Sequence, residues 1–150
     1  MSLEININNA IKEAMKNKDQ QSLTPLRAIK TALLMQKTQK GSDQTISNED
    51  EMKILQKLVK QRRESAEIYR NQGRDDLADP ETKEAELIQN FLPKALSEKE
   101  IETEVKQIID QINAGGMKDM GKVMAYLRGE YAGRMDFSTV SQLVKTRLMG

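Results

Sequence analysis

Apolar residues return every three or four positions along successive stretches of this chain, a period that commits the backbone to helices. The cleanest stretch runs through Met52, Leu55, Val59, Arg62, Ala66 and Tyr69. Others are Leu3, Ile7, Ile11 and Ala14; Leu26, Ile29 and Leu33; and Ala78, Ala85, Ile88 and Leu92. Three more follow: Ile101, Val105, Ile108 and Ile112; Met117, Met120, Met124 and Leu127; and Val140, Leu143, Val144 and Leu148. Aromatic residues make up only 3% of the chain, which also speaks against sheet, where aromatic and β-branched residues concentrate. The fold class expected is all-α.

Boundary signals divide these stretches. Ser47 ahead of Asn48, Glu49, Asp50 and Glu51 offers a capping hydroxyl followed by negative charge at the positive end of a helix dipole. Ser97 with Glu100 reads as a capping box, and Leu96 as its hydrophobic staple. Gly41, Gly73 and the Gly115-Gly116 pair stand where helices should end. Pro25 either opens the second helix after Thr24 or kinks one begun near Asp19, and the kink is the reading preferred here. Leu92-Pro93 marks a domain break, because proline disfavours helix in the residue before it. An N-terminal antiparallel helical bundle over residues 1–93 and a small three-helix C-terminal domain over 94–150 are therefore expected.

What the chain lacks narrows its chemistry. Cysteine and histidine are both absent, which removes thiolate nucleophiles, zinc-thiolate sites and the commonest general base. The carboxylates around Glu49, Asp75 and Glu98 fall near helix starts, where dipole complementation accounts for them. Gly116-Met117-Lys118-Asp119-Met120-Gly121-Lys122-Val123 is one residue short of a phosphate-binding P-loop: Val123 stands where a magnesium-liganding hydroxyl belongs, and the preceding stretch has helical rather than strand period. No catalytic residue, metal site or cofactor is expected. No membrane span and no signal peptide are read from the apolar pattern, so the expected compartment is cytoplasmic.

Local charge is the better lead. Net charge is +1, but between Ala10 and Lys40 the basic residues Lys12, Lys16, Lys18, Arg27, Lys30, Lys37 and Lys40 face only Glu13 and Asp19. Lys53, Lys57 and Lys60 recur at helical spacing, followed by Arg62 and Arg63. From Asn113 onward Lys118, Lys122, Arg128, Arg134, Lys145 and Arg147 face Asp119, Glu130 and Asp136. Such segregation suits a phosphate backbone, although most helical lysines simply face solvent. Arg62 interrupts an apolar stripe and either pairs with a carboxylate across the bundle or lines a groove. Met117, Met120 and Met124 read as core packing.

The run Met117-Lys118-Asp119-Met120-Gly121-Lys122-Val123-Met124 resembles that of the YqeY proteins, as does Gly133-Arg134-Met135-Asp136 followed by Val140-Ser141-Gln142-Leu143-Val144. Leu26-Arg27-Ala28-Ile29-Lys30, Lys60-Gln61-Arg62-Arg63-Glu64-Ser65, Gly73-Arg74-Asp75-Asp76-Leu77 and Phe91-Leu92-Pro93 extend the resemblance over nearly the whole chain. Pro25 and the segment Arg128-Gly129-Glu130-Tyr131 depart from the family pattern. The resemblance implies a helical domain followed by a tail domain related to the tail of the B subunit of the glutamine-dependent tRNA amidotransferase, without that subunit's kinase-like part. It implies tRNA, or an aminoacyl-tRNA or amidotransferase enzyme, as partner. The phosphate contacts expected are Lys118, Lys122, Arg128, Arg134 and Lys145, with Arg27, Lys30 and Arg62 in the first domain. Gly121 and Gly133 would permit close backbone approach. The alternatives are an accessory carbon–nitrogen ligase component using glutamine as amide donor, and a protein-interaction adaptor.

Overall fold

A computed structural model describes residues 2–41 and 45–150; the Lys40 side chain also lies outside the described residues. Among the described residues there are seven α-helices and no strand, which is the all-α class that the apolar period demands. The chain forms two compact units, Met1–Leu92 and Pro93–Gly150.

The first unit holds α1 (Leu3–Lys16), α2 (Gln20–Lys40), α3 (Asn48–Asn71) and α4 (Asp75–Gln89). α1 passes to α2, and α3 to α4, through three-residue connections, which bring consecutive helices side by side. In the first connection Lys18 takes a φ of 55°, and Asp19 then caps α2 by accepting from the Ser22 amide at 3.1 Å. α2 therefore starts ahead of Pro25, which sits fully buried inside the helix rather than at its first position. The second connection turns on Gly73, whose φ of 72° suits a residue with no Cβ.

The core of this unit follows the apolar stripes: Ile7 from α1, Ile29 from α2, Leu55 from α3 and Ile88 from α4 are all at most 1% exposed. Each such side chain contributes about 1.5–3 kcal/mol on leaving water. α3 and α4 make the most extensive helix pair, and the alanines Ala66, Ala78 and Ala85 buried along them let the two backbones approach closely. Leu92 departs from the expected stripe. α4 ends at Gln89, and Phe91 and Leu92 close the unit with turn hydrogen bonds back to Ile88 and Gln89.

The second unit holds α5 (Glu98–Gln111), a 3-10 turn (Met117–Asp119), α6 (Met120–Glu130) and α7 (Phe137–Met149). The capping box at Ser97 forms as the sequence demands: the Glu100 amide donates to Ser97 Oγ and the Ser97 amide to Glu100 Oε1, each at 3.1 Å. The Ser97 contact holds the Glu100 carboxyl below the usual carboxylate range. Leu96 and Ile101 both pack on the core of this unit, in the positions of a staple. That core comprises Val105 and Ile108 from α5, Val123, Met124 and Leu127 from α6, Met135, and Val140 and Val144 from α7.

Two expectations are revised here. α5 ends before the glycine pair, with Asn113 at φ 57° taking the left-handed position; asparagine substitutes for glycine there because its short amide tolerates that conformation. Ile112, at the end of the stripe, is 37% exposed, and Met117 is 43% exposed in the 3-10 turn instead of packed in the core. Neither reaches the core, because the regular α-helical period lapses between Gln111 and Met120.

Candidate nucleic-acid interface

The glycine- and lysine-rich segment that resembles a P-loop is a helix entrance. α5 precedes it, and Val123 is fully buried in the core of the second unit. Asp119 organises the approach: its Oδ2 accepts from the Gly115 amide at 2.8 Å. A side-chain carboxylate thus takes up an amide that a bound phosphate would otherwise engage. Gly116 at φ 140° makes the bend, and Gly121 opens α6 with no atom close to where a Cβ would stand.

The cations expected to touch phosphate divide into two groups. Lys118 and Lys145 are exposed and Arg128 is half-buried, none with an ion-pair partner among the described residues. Lys122 is 78% exposed and lies 3.9 Å from Asp119, a distant contact that costs little to give up. Lys122, Arg128 and Lys145 stand on α6 and α7 between the positions that bury valines, Leu127 and Met124, and Lys118 stands in the 3-10 turn ahead of them.

Arg134 and Gly133 belong to a different arrangement. The Arg134 Nε donates to the Lys94 carbonyl at 2.9 Å, and its own carbonyl accepts from the Leu96 amide at 2.9 Å. The guanidinium lies 5.9 Å from the Tyr131 ring centroid, a cation–π distance. Arg134 thereby fastens the segment entering α5 to the α6–α7 loop. Gly133 is buried with φ 79°, so it serves the turn and offers no exposed backbone. Tyr131 in turn donates its hydroxyl to Glu104 of α5, and this bond, ahead of burial and the Glu104 charge, pushes the phenol up to about 12.

In the first unit Arg27 and Lys30 are exposed on α2. Arg62 is not. Its side chain is 17% exposed, its Nε lies 3.7 Å from Glu84 of α4, and a terminal nitrogen donates to the Leu58 carbonyl at 3.2 Å. At 3.7 Å the Glu84 contact is ionic and too long for a hydrogen bond, and Nε has no hydrogen-bond partner. Burial pushes the Glu84 carboxyl up, and Arg62 only partly opposes it. Of the two roles open to Arg62 in sequence, the structure places it in the cross-bundle pair.

Tyr126 was not singled out by the sequence. It is 40% exposed on α6, one turn after Lys122. The i, i+4 spacing to an exposed lysine is the signal that could have found it, since an exposed aromatic beside a cation is a stacking platform for a base.

A family model described as Yqey-like protein matches residues 4–148. Curated relatives include the protein named altered inheritance of mitochondria protein 41, mitochondrial, from Clavispora lusitaniae, 35% identical over 69% of this chain and 61% of the relative. The protein of the same name from Meyerozyma guilliermondii is 33% identical over 74% of this chain and 60% of the relative. That from Pyrenophora tritici-repentis is 26% identical over 79% and 67%. The chain thus spans about three fifths of the length of the first two. All three relatives are mitochondrial by name, which overturns the cytoplasmic expectation. That expectation rested on features missing from the sequence, and a composition carries no address. No helix among the described residues is long and apolar enough to cross a membrane.

Proposed function

The chain belongs to the Yqey-like protein family, and from that premise we propose that it binds tRNA, or an enzyme carrying tRNA, through the exposed cations of its second unit. The observation that carries this reading is the charge division within that unit. α5 sets Glu98, Glu100, Glu102, Glu104 and Asp110 against Lys99 and Lys106. The chain after it carries Lys118, Lys122, Arg128 and Lys145, of which, among the described residues, only Lys122 has a carboxylate within 4 Å, and that one at 3.9 Å. Free ammonium and guanidinium groups release counterions when they meet phosphate, so the attraction weakens steeply as salt rises. Tyr126 beside Lys122 supplies an aromatic face for an unpaired base. Arg134 and Gly133 hold the fold of the second unit, Arg62 that of the first, and all three stand outside the contact set.

Binding of total tRNA measured at two salt concentrations tests the reading. The expected outcome is binding at low salt that falls as salt rises, with the slope reduced in a Lys118→Ala/Lys145→Ala variant. Absence of binding at low salt, or affinity independent of salt, overturns it.

A further inference from the structure

The first unit carries a cavity of its own. It lies among α1, α2 and the start of α3 and encloses about 210 Å³. Its floor and wall are apolar: Ile7 is 1% and Leu33 5% exposed, and Ile46 is half-buried. Its charged groups come from Glu4, Lys30, Lys37 and Glu51, and Ser2, Asn8 and Thr45 add uncharged polar ones. Of these, Lys37 and Glu4 answer each other at 3.9 Å across α2 and α1. Glu51 and Lys30 have no ion-pair partner among the described residues, although both line the same cavity. An unpaired carboxylate and an unpaired ammonium thus look onto one apolar floor.

We propose that this cavity is a binding site for a small zwitterion with an aliphatic body, of the class of the free apolar α-amino acids, whose ammonium meets Glu51, whose carboxylate meets Lys30 and whose side chain lies on Ile7, Leu33 and Ile46. The size agrees: a cavity of roughly 150 Å³ holds benzene, so this one has room for a ligand a few atoms larger. The polarity agrees as well. A lone amine would satisfy Glu51 and leave Lys30 unmatched, and a lone carboxylate would do the reverse. Burial, and after it the negative charge of Glu4, pushes the Glu51 carboxyl up. A ligand ammonium placed against Glu51 offsets the cost of ionising it there.

The site lies wholly in the first unit, so it stands or falls apart from the RNA reading. The test is calorimetric titration of the full chain with leucine and valine, compared with 3-methylbutylamine, which lacks the carboxylate, and 4-methylpentanoate, which lacks the ammonium. Saturable binding of at least one amino acid is expected, with each single-charge analogue weaker by about tenfold or more, because each forgoes one charge-assisted hydrogen bond. Glu51→Gln is expected to bring the amino acid down to the level of 4-methylpentanoate, and Lys30→Gln to that of 3-methylbutylamine, with thermal unfolding confirming that both variants fold. No saturable binding of either amino acid up to its solubility limit overturns the proposal. Equal binding of 4-methylpentanoate, or unchanged leucine and valine binding in folded Glu51→Gln, overturns it too.

Discussion

The two units solve the same packing problem with different use of their charges. In the first, long helices meet along extended faces, and two cations of α3 reach across to α4: Arg62 faces Glu84 from a half-buried position, and Arg70 donates to Asp79 at 3.1 Å from a more exposed one. In the second, shorter helices close over a core of valines, Leu127 and methionines, and their cations stay outside it. Arg62 on an apolar stripe and Arg134 in the α6–α7 loop are both taken up by the fold, whereas Lys118 and Lys145 are exposed with no ion-pair partner among the described residues. Density of positive charge along the sequence does not separate these cases; the neighbours each cation meets in space do.

The comparison is sharpest where the cores are cut. Leu127→Ala is expected to destabilise the second unit by about 2–5 kcal/mol, as large-to-small changes at fully buried sites do. Thermal unfolding followed by amide exchange should show loss of protection in α5, α6 and α7 and little change in α1–α4. Loss spread evenly over both units would break the division between them.

Glu84→Ala leaves Arg62 half-buried and unmatched. The cost expected is roughly 2 kcal/mol, below that of a fully buried pair because both side chains retain some exposure. A denaturant midpoint measures it, and replacing both partners together, Arg62→Met with Glu84→Leu, should recover most of the loss. If Arg62→Met instead weakens tRNA binding without affecting stability, its assignment to the fold is wrong.

Ser97→Ala removes the α5 cap at a cost of about 1 kcal/mol, read from the same midpoint. tRNA affinity at fixed salt should not move, since the cap lies on the acidic helix. Lys118→Ala and Lys145→Ala should do the converse: stability within about 0.5 kcal/mol of the parent and a salt slope lower by about one for each phosphate that is no longer neutralised.

The smallest effect is on pH. Because Glu84 is pushed above its ordinary value of 4.5, the folded state holds its proton more tightly than the unfolded chain. Its contribution to stability is therefore full below pH 4.5 and is lost as pH rises through the raised folded value. Glu84→Gln should flatten the stability profile just above pH 4.5. Tyr131 follows the same sign at the alkaline end: its contribution holds below pH 10 and is lost as pH rises towards about 12. Tyr131→Phe should remove that alkaline decline, while an unchanged profile would mean that the bond to Glu104 does not persist in solution.

The helical period was legible in every α-helix, though not at its ends, and so were the caps at Ser47 and Ser97, because a hydroxyl followed three residues later by an amide to satisfy is a local arrangement. Pro25 was only half legible. Its missing amide disturbs a helix without forbidding one, and Asp19 capping from upstream decided that α2 starts before it. Ile112 and Met117 were misread because the apolar spacing carries each stripe past the end of its helix, α5 stopping at Gln111 and α6 starting at Met120. In the candidate interface, residue types and spacing identified the cations but not which were spoken for.

The sequence by itself determined that this chain is helical, where most helices begin and which residues form their buried faces, because these follow from interactions spanning one or two turns. The tertiary structure decided what each charge does. Arg62 meets Glu84 on the neighbouring helix, Arg134 reaches the carbonyl of Lys94 forty residues away, and Glu51 and Lys30 come to one cavity from different helices. Coulomb attraction and desolvation depend on distances through space, and a local pattern in the sequence does not contain them.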